Sequence, residues 1–245
     1  MTEEMTDDAY EHFLASALLG IAEDAVRLGE IVLDGKTDEE IESQVGDIMH
    51  EVLAAPSLPG VQVAHQKSLL DEAIAYRNGG QDEFAIVFYA TWVEHWVNGM
   101  ILVGAARKGL EPTEARQFIR ETGLRGKVGH LWRLLFGEPF PDCVSKNIDR
   151  VAMERNAFVH YKWPAQAIGD EKDNGRLRQV SALANELVSD LIKIEERIVF
   201  VGRRDDLARI MAPRLAAALL GYKSSRQTVN PPDPVGPDQV TAQPR

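Results

Sequence analysis

Apolar residues recur at three- and four-residue steps along most of this 245-residue chain, and no other feature constrains its fold as strongly. This spacing places apolar side chains on one face of an α-helix. The first predicted helix ends before Gly35 and carries an apolar stripe made of Tyr10, Leu14, Ala17, Leu18, Ile21, Ala25, Leu28 and Val32. No run of alternating β-branched residues interrupts the pattern. The sequence therefore predicts an all-α protein, built as a helical bundle.

Capping residues, glycines and prolines divide the chain into further helices. Thr37 followed by Glu40 is a capping-box pattern, which predicts a second helix running to about Leu53. Pro164 predicts that the helix before it ends near His160–Trp163. Glycine-containing "RNGGQD" and "QAIGDEKDNG" predict loops. The other predicted helices cover 61–76, 84–106, 112–121, 124–136, 142–160, 177–199 and 204–220.

Charge and composition divide the chain into three predicted regions. Residues 1–60 form an acidic helical extension, with fifteen acidic and two basic side chains in its first 51 positions. Residues 61–221 form the bundle, and the proline-rich residues 222–245 are predicted to be disordered. Because the acidic charge is concentrated at the N-terminus, the formal net charge of −11 does not exclude a polyanionic partner. The N-terminal region is interpreted as a solvated face, or alternatively as a shield over a basic groove.

The cysteine content and the N-terminal residues indicate the cellular compartment in which the protein is expected. Cys143 is the single cysteine, so the chain forms no internal disulfide and fits a reducing environment. The opening "MTEEMTDDAYEH" is acidic and polar, unlike a secretory signal peptide. We therefore expect a cytoplasmic protein.

The most apolar segment, residues 84–106, is long enough to span a bilayer. However, Glu94 and His95 lie at its midpoint, and a central charge costs about 2.5–3.5 kcal/mol on insertion scales. With Thr91 and Asn98 they form a polar arc, and the opposite side carries Tyr89, Trp92, Val93, Trp96, Val97 and Met100. The pattern favours a helix buried inside the protein, with its polar arc facing solvent or a polar site, and no membrane association.

Motifs for cofactor or metal chemistry are absent from the sequence. No glycine-rich phosphate loop, nucleophile elbow or zinc-protease pattern occurs. The six histidines are scattered, and the adjacent Glu94 and His95 diverge by about 100° on a helix. We therefore expect no cofactor and no metal.

The stretch "RNAFVHYKW", residues 155–163, combines side chains that suit metal-free cleavage of RNA. Arg155 presents a rigid fork of donors that matches phosphate oxygens. Histidine is the most common general base in proteins, so His160 can accept a proton from a ribose 2′-hydroxyl that then attacks the adjacent phosphate. Asn156 and His160 are four residues apart and share a helix face, with Arg155 expected at the edge of that face.

At these residues the chain resembles the HEPN (higher eukaryotes and prokaryotes nucleotide-binding) superfamily, whose mark is Arg, four to six residues, then His. Here the motif is "RNAFVH", with Asn156 in the polar position that often follows the arginine. The upstream segments "WVEHWVNGMI" and "KVGHLWRLLFG" resemble the family's acidic helix and connecting helix. The similarity covers roughly residues 65–200.

This resemblance implies a homodimeric bundle in which two Arg/His pairs line one RNA-cleaving cleft. It implies Arg155 and His160 as catalytic residues, Asn156, Glu94 and Asn98 as supporting residues, and a toxin or abortive-infection role with an antitoxin or nucleotidyltransferase partner. Additional RNA contacts are expected from Lys162, Tyr161, Lys127 and Arg125. Some relatives carry a modifiable tyrosine two positions after the histidine, but here that position is Lys162.

Two other interpretations stay open. The first is a non-catalytic HEPN-like bundle that dimerises or binds a partner protein, with Arg155 simply paired to Glu94 and His160 favoured by the helix dipole. The second is a fold that binds nucleotides without hydrolysing them.

Overall fold

A computed structural model describes residues 7–54, 65–160 and 171–213. Every regular element within these ranges is a helix, which confirms the prediction of an all-α bundle. A π-helical turn, Lys127–Leu131, joins α6 to α7. The helices are α1 Asp7–Leu28, α2 Asp38–Ala54, α3 His65–Asn78, α4 Asp82–Arg107, α5 Pro112–Glu121, α6 Leu124–Gly126, α7 Trp132–Phe136, α8 Asp142–Val159, α9 Glu171–Ile198 and α10 over 204–213.

Several helix ends follow the predicted local signals. The Thr37 amide donates to Glu40 Oε2 at 2.9 Å, and the Glu40 amide donates to Thr37 Oγ1 at 3.3 Å. These two bonds form the capping box that starts α2. Helix α5 has its predicted bounds, and α8 ends at Val159, immediately before His160.

Other boundaries differ from the predictions. The first helix ends at Leu28, because Gly29 adopts a φ of +83° and turns the chain before Val32. The predicted helix over 124–136 is broken at Gly129, whose ψ of −108° is not helical. Helix α9 begins at Glu171, so residues 171–175 are helical and the loop predicted there is wrong in its second half. The predicted disordered tail, 222–245, lies outside the described residues.

Helix α4 is the central element and contacts α3, α5, α8 and α9. Near its start Asp82 faces Arg178 of α9, and near its end Arg107 donates to the carbonyl of Val199 just after α9. These contacts show that α4 and α9 run parallel. At the end of α8, the Phe158 ring lies 5.7 Å from that of Phe84, so α8 runs antiparallel to α4.

The apolar side of α4 lies in the core, as predicted. Tyr89, Trp92, Val93, Trp96 and Met100 are all buried. By length and composition α4 is the one described helix that reaches the threshold for a membrane span, and half of its most apolar window is buried within the bundle. The prediction of a buried protein helix is therefore confirmed.

The acidic N-terminal helices share the core of the bundle. Ala22, Val26, Ile31, Ile41 and Val45 belong to the same cluster of buried residues as the side chains of α4, α8 and α9. Burial of these side chains gives α1 and α2 a direct share in stabilising the fold.

Candidate active site

Arg155 lies on the stripe of α8 that packs against α4. Val144, Ile148 and Val151 occupy the earlier turns of this stripe and are buried. Arg155 continues it toward the end of the helix, where its side chain is 30% exposed. Its Nη2 donates to Glu94 Oε2 of α4 at 3.1 Å. The predicted acidic helix thus supplies the carboxylate that holds the arginine.

Asn98 lies one turn beyond Glu94 on α4 and contacts a different cation. Lys127, in the π-helical turn, donates from Nζ to Asn98 Oδ1 at 2.7 Å, and this lysine is only 5% exposed. Burial lowers the pKa of Lys127, and the nearby Glu94 carboxylate acts in the opposite direction. Glu94 therefore lies in the field of two cations, Arg155 and Lys127.

His160 is the first residue after α8 and is exposed. Its backbone amide donates to the Asn156 carbonyl at 3.1 Å, which completes the last turn of the helix. Met153, Asn156 and His160 follow one another along the exposed face of α8. A proton donor or acceptor at this position is open to solvent and to a ligand.

Arg155 lies one position round the helix from this face and is partly exposed. Five residues on a helix correspond to a rotation of about 140°, so Arg155 and His160 do not point the same way. Arg155 belongs to the α4-facing stripe, whereas Asn156 and His160 lie on the exposed face. A substrate that contacts both groups has to reach around the end of α8.

The remaining predicted residues occupy three kinds of position. Arg125 is exposed and donates to Asp149 Oδ1 of α8 at 2.9 Å, a pairing that the sequence analysis missed. Lys127 is buried. Its contact with RNA stays a prediction. Tyr161 and Lys162 lie outside the described residues.

The Arg155 guanidinium has unused hydrogen-bonding capacity. Its Nε is buried and donates to no acceptor within the described part of the chain. A buried donor without an acceptor is costly, typically by about 1–3 kcal/mol. The candidate site therefore combines a guanidinium held by Glu94 with an exposed histidine at the end of the same helix.

No protein-family model, curated protein or solved structure matches this chain. The resemblance to the HEPN superfamily therefore stays a prediction from the "RNAFVH" motif.

Proposed function

We propose that this protein is a HEPN-type, metal-independent endoribonuclease that acts as a homodimer in the cytoplasm. One observation carries the proposal: Glu94 fixes the guanidinium of Arg155, while His160 lies exposed at the end of the same helix. An oriented arginine and a solvent-accessible imidazole are the two groups that cleavage by a ribose 2′-hydroxyl requires.

The proposed reaction is an internal transesterification in which the 2′-oxygen displaces the 5′-oxygen. The His160 imidazole accepts the 2′-hydroxyl proton, and the 2′-oxygen forms a bond to the adjacent phosphorus. The bond from phosphorus to the 5′-oxygen breaks, and that oxygen takes up the proton from the His160 imidazolium. The products are a 2′,3′-cyclic phosphate and a 5′-hydroxyl. Arg155 stabilises the negative charge that builds on the phosphoryl oxygens.

A second copy of the chain is the proposed partner of the exposed face of α8. Met153 is 65% exposed and Val159 is 46% exposed, and both flank the positions of Asn156 and His160. Burying these apolar side chains between two copies is favourable and brings two His160 side chains into one cleft. A toxin or defence role, with an antitoxin or nucleotidyltransferase as partner, follows from the family resemblance alone.

The test is RNA cleavage in EDTA by the wild type, His160→Ala and Arg155→Ala, with identification of the product ends. We expect cyclic phosphate ends from the wild type and a loss of about 10²-fold or more in rate from each substitution. Equal cleavage by all three proteins would exclude the catalytic assignment.

The second candidate is a non-catalytic partner-binding module. The Arg155–Glu94 ion pair favours it, because this contact alone explains why an arginine lies at that position. In that case a homogeneous preparation releases no product from RNA, and His160→Ala leaves partner binding unchanged.

A further inference from the structure

A cavity of about 350 Å³ lies where the turn between α3 and α4 meets α9. Its lining consists of Arg77, Asn78, Gly80, Asp82, Arg178 and Ala182. None of these residues belongs to the HEPN-like motif. The volume is within the range of small-molecule and cofactor sites, at its lower end.

The cavity is at the same end of the bundle as His160. Phe158, two residues before His160, contacts Phe84, two residues after Asp82. Glu154 of α8 also pairs with Arg176 of α9, two residues before Arg178. Both contacts place the end of α8 beside the elements that line the cavity.

The charges in the cavity do not balance. Asp82 is 7% exposed and pairs with Arg178 Nε at 4.0 Å, a long ion pair. The half-buried Arg77 lies near the hydroxyl of Tyr89, which donates to Asn185 Oδ1 at 2.9 Å. No carboxylate within the described residues pairs with Arg77. One positive charge is therefore uncompensated, and a partly buried cation favours an anionic partner.

The shape of the lining suits an anion held by two guanidinium groups. Arg178 is 82% exposed at its side chain and lies 4.0 Å from Asp82, so its guanidinium is accessible to a ligand while it stays near the carboxylate. Gly80 and Ala182 have small side chains that leave the space between the two arginines open. Planar guanidinium forks bind phosphate oxygens in pairs, which a lysine does not reproduce.

We infer that this cavity binds a phosphodiester group of the RNA strand, beside the linkage that Arg155 and His160 cleave. Arg77 is the main contact and Arg178 the second. This inference rests on the proposed function, since it extends the substrate path from the end of α8 to α9. Backbone phosphates carry no sequence information, so the cavity sets the register of the strand rather than its sequence preference.

The test measures binding of a fully 2′-O-methylated RNA, which cannot be cleaved, to the full-length protein. The variants are Arg77→Gln, Arg77→Lys and Arg178→Gln. The control is Lys193→Gln, which removes one charge from α9 about 22 Å along the helix from Arg178. We expect Arg77→Gln to raise Kd about tenfold or more and to reduce the slope of log K against log salt by about 0.7. Arg77→Lys restores the slope but not the full affinity, because it keeps the charge and loses the fork.

Three outcomes overturn the inference. The first is that the wild type does not bind RNA, and the second is that Kd changes equally in Arg178→Gln and Lys193→Gln. The third is that Arg77 is needed for binding of a mononucleotide while the RNA is not bound. Unfolding temperatures of all variants are compared, and Arg178→Gln serves as the decisive variant if Arg77→Gln is unfolded. Failure of the proposed function has a different result. If RNA binding depends on Arg77 but no RNA is cleaved, the cavity remains an RNA-binding site and the nuclease activity is excluded.

Discussion

Gly104 allows a close approach between α4 and α7. A Cβ at this position would lie 2.9 Å from Leu135 Cβ and 2.9 Å from Phe136 Cζ. The Leu135 Cβ cannot move without its backbone, so the contact leaves no room for a methyl group. Gly99, on the same helix, offers a matched position, because the nearest atom to its added Cβ is Gln66 Nε2 at 3.7 Å.

Gly104→Ala is therefore expected to lower the free energy of unfolding by about 1–3 kcal/mol through overpacking. Gly99→Ala is expected to raise it by up to about 1 kcal/mol, because alanine has the higher helix propensity. Urea denaturation of both variants checks the pair. Equal stability of the two variants would contradict the packing described between α4 and α7.

Among the residues predicted for the site, Arg155 and Glu94 pair in the structure, and this pairing was expected from the sequence. The catalytic roles of Arg155 and His160 stay predictions. The burial of Lys127 was not predictable, because it depends on how the π-helical turn packs against Asn98. The cavity arginines, Arg77 and Arg178, were missed for the same reason: they are about one hundred residues apart and meet only in the folded chain.

Among the elements, the carboxyl ends of α1 and α9 are held together by one side chain of α4. Arg107 donates to the carbonyls of Val26 and Arg27 at 2.7 and 2.9 Å, and to that of Val199 at 3.3 Å. The last carbonyls of a helix have no partner within the helix, and a guanidinium there also complements the helix dipole.

Arg107→Met is expected to lower the free energy of unfolding by about 1–2 kcal/mol, because water replaces these charged bonds only in part. Arg133→Met, at an exposed arginine of α7 that contacts no acceptor within the described residues, is the control and is expected to change stability by less than about 0.5 kcal/mol. Thermal unfolding of the two variants under identical conditions measures the difference. Indistinguishable curves would contradict the capping role.

The presence of the helices could be predicted from the spacing of apolar residues. Helix ends could be predicted where a local sequence signal determines them. Glu40 is such a signal, because it completes the capping box of α2. Gly137 is another, because it adopts the left-handed conformation after α7 with a φ of +77°. The break at Gly129 could not be predicted, because the same apolar period runs through it.

At the scale of the whole molecule, the anchored ends of α1 and α2 lie away from His160. The end of α1 contacts Arg107 at the end of α4, and the start of α2 is held by Arg203, whose Nη2 donates to Asp38 at 2.8 Å. His160 is near the opposite end of α4, beside Phe84. Because α1 and α2 also contribute to the core, deleting residues 1–51 would disturb folding as well as charge.

The exposed face of α8 is the proposed dimer interface. Met153→Glu is expected to convert the dimer to a monomer, because it places a charge in an apolar contact. Leu134→Glu, at a 72% exposed leucine of α7, is the control and leaves the dimer intact. Sedimentation equilibrium distinguishes the species. A monomeric wild type, or a dimeric Met153→Glu variant, would contradict this interface.

The central claim is that the His160 imidazole moves the proton during RNA cleavage. Its most direct test is the single-turnover cleavage rate of His160→Ala beside His50→Ala, which removes an exposed histidine of α2, both measured in EDTA across pH 5–8. We predict a loss of about 10²–10⁴-fold for His160→Ala and an unchanged rate for His50→Ala. Wild-type rates from His160→Ala would contradict the account.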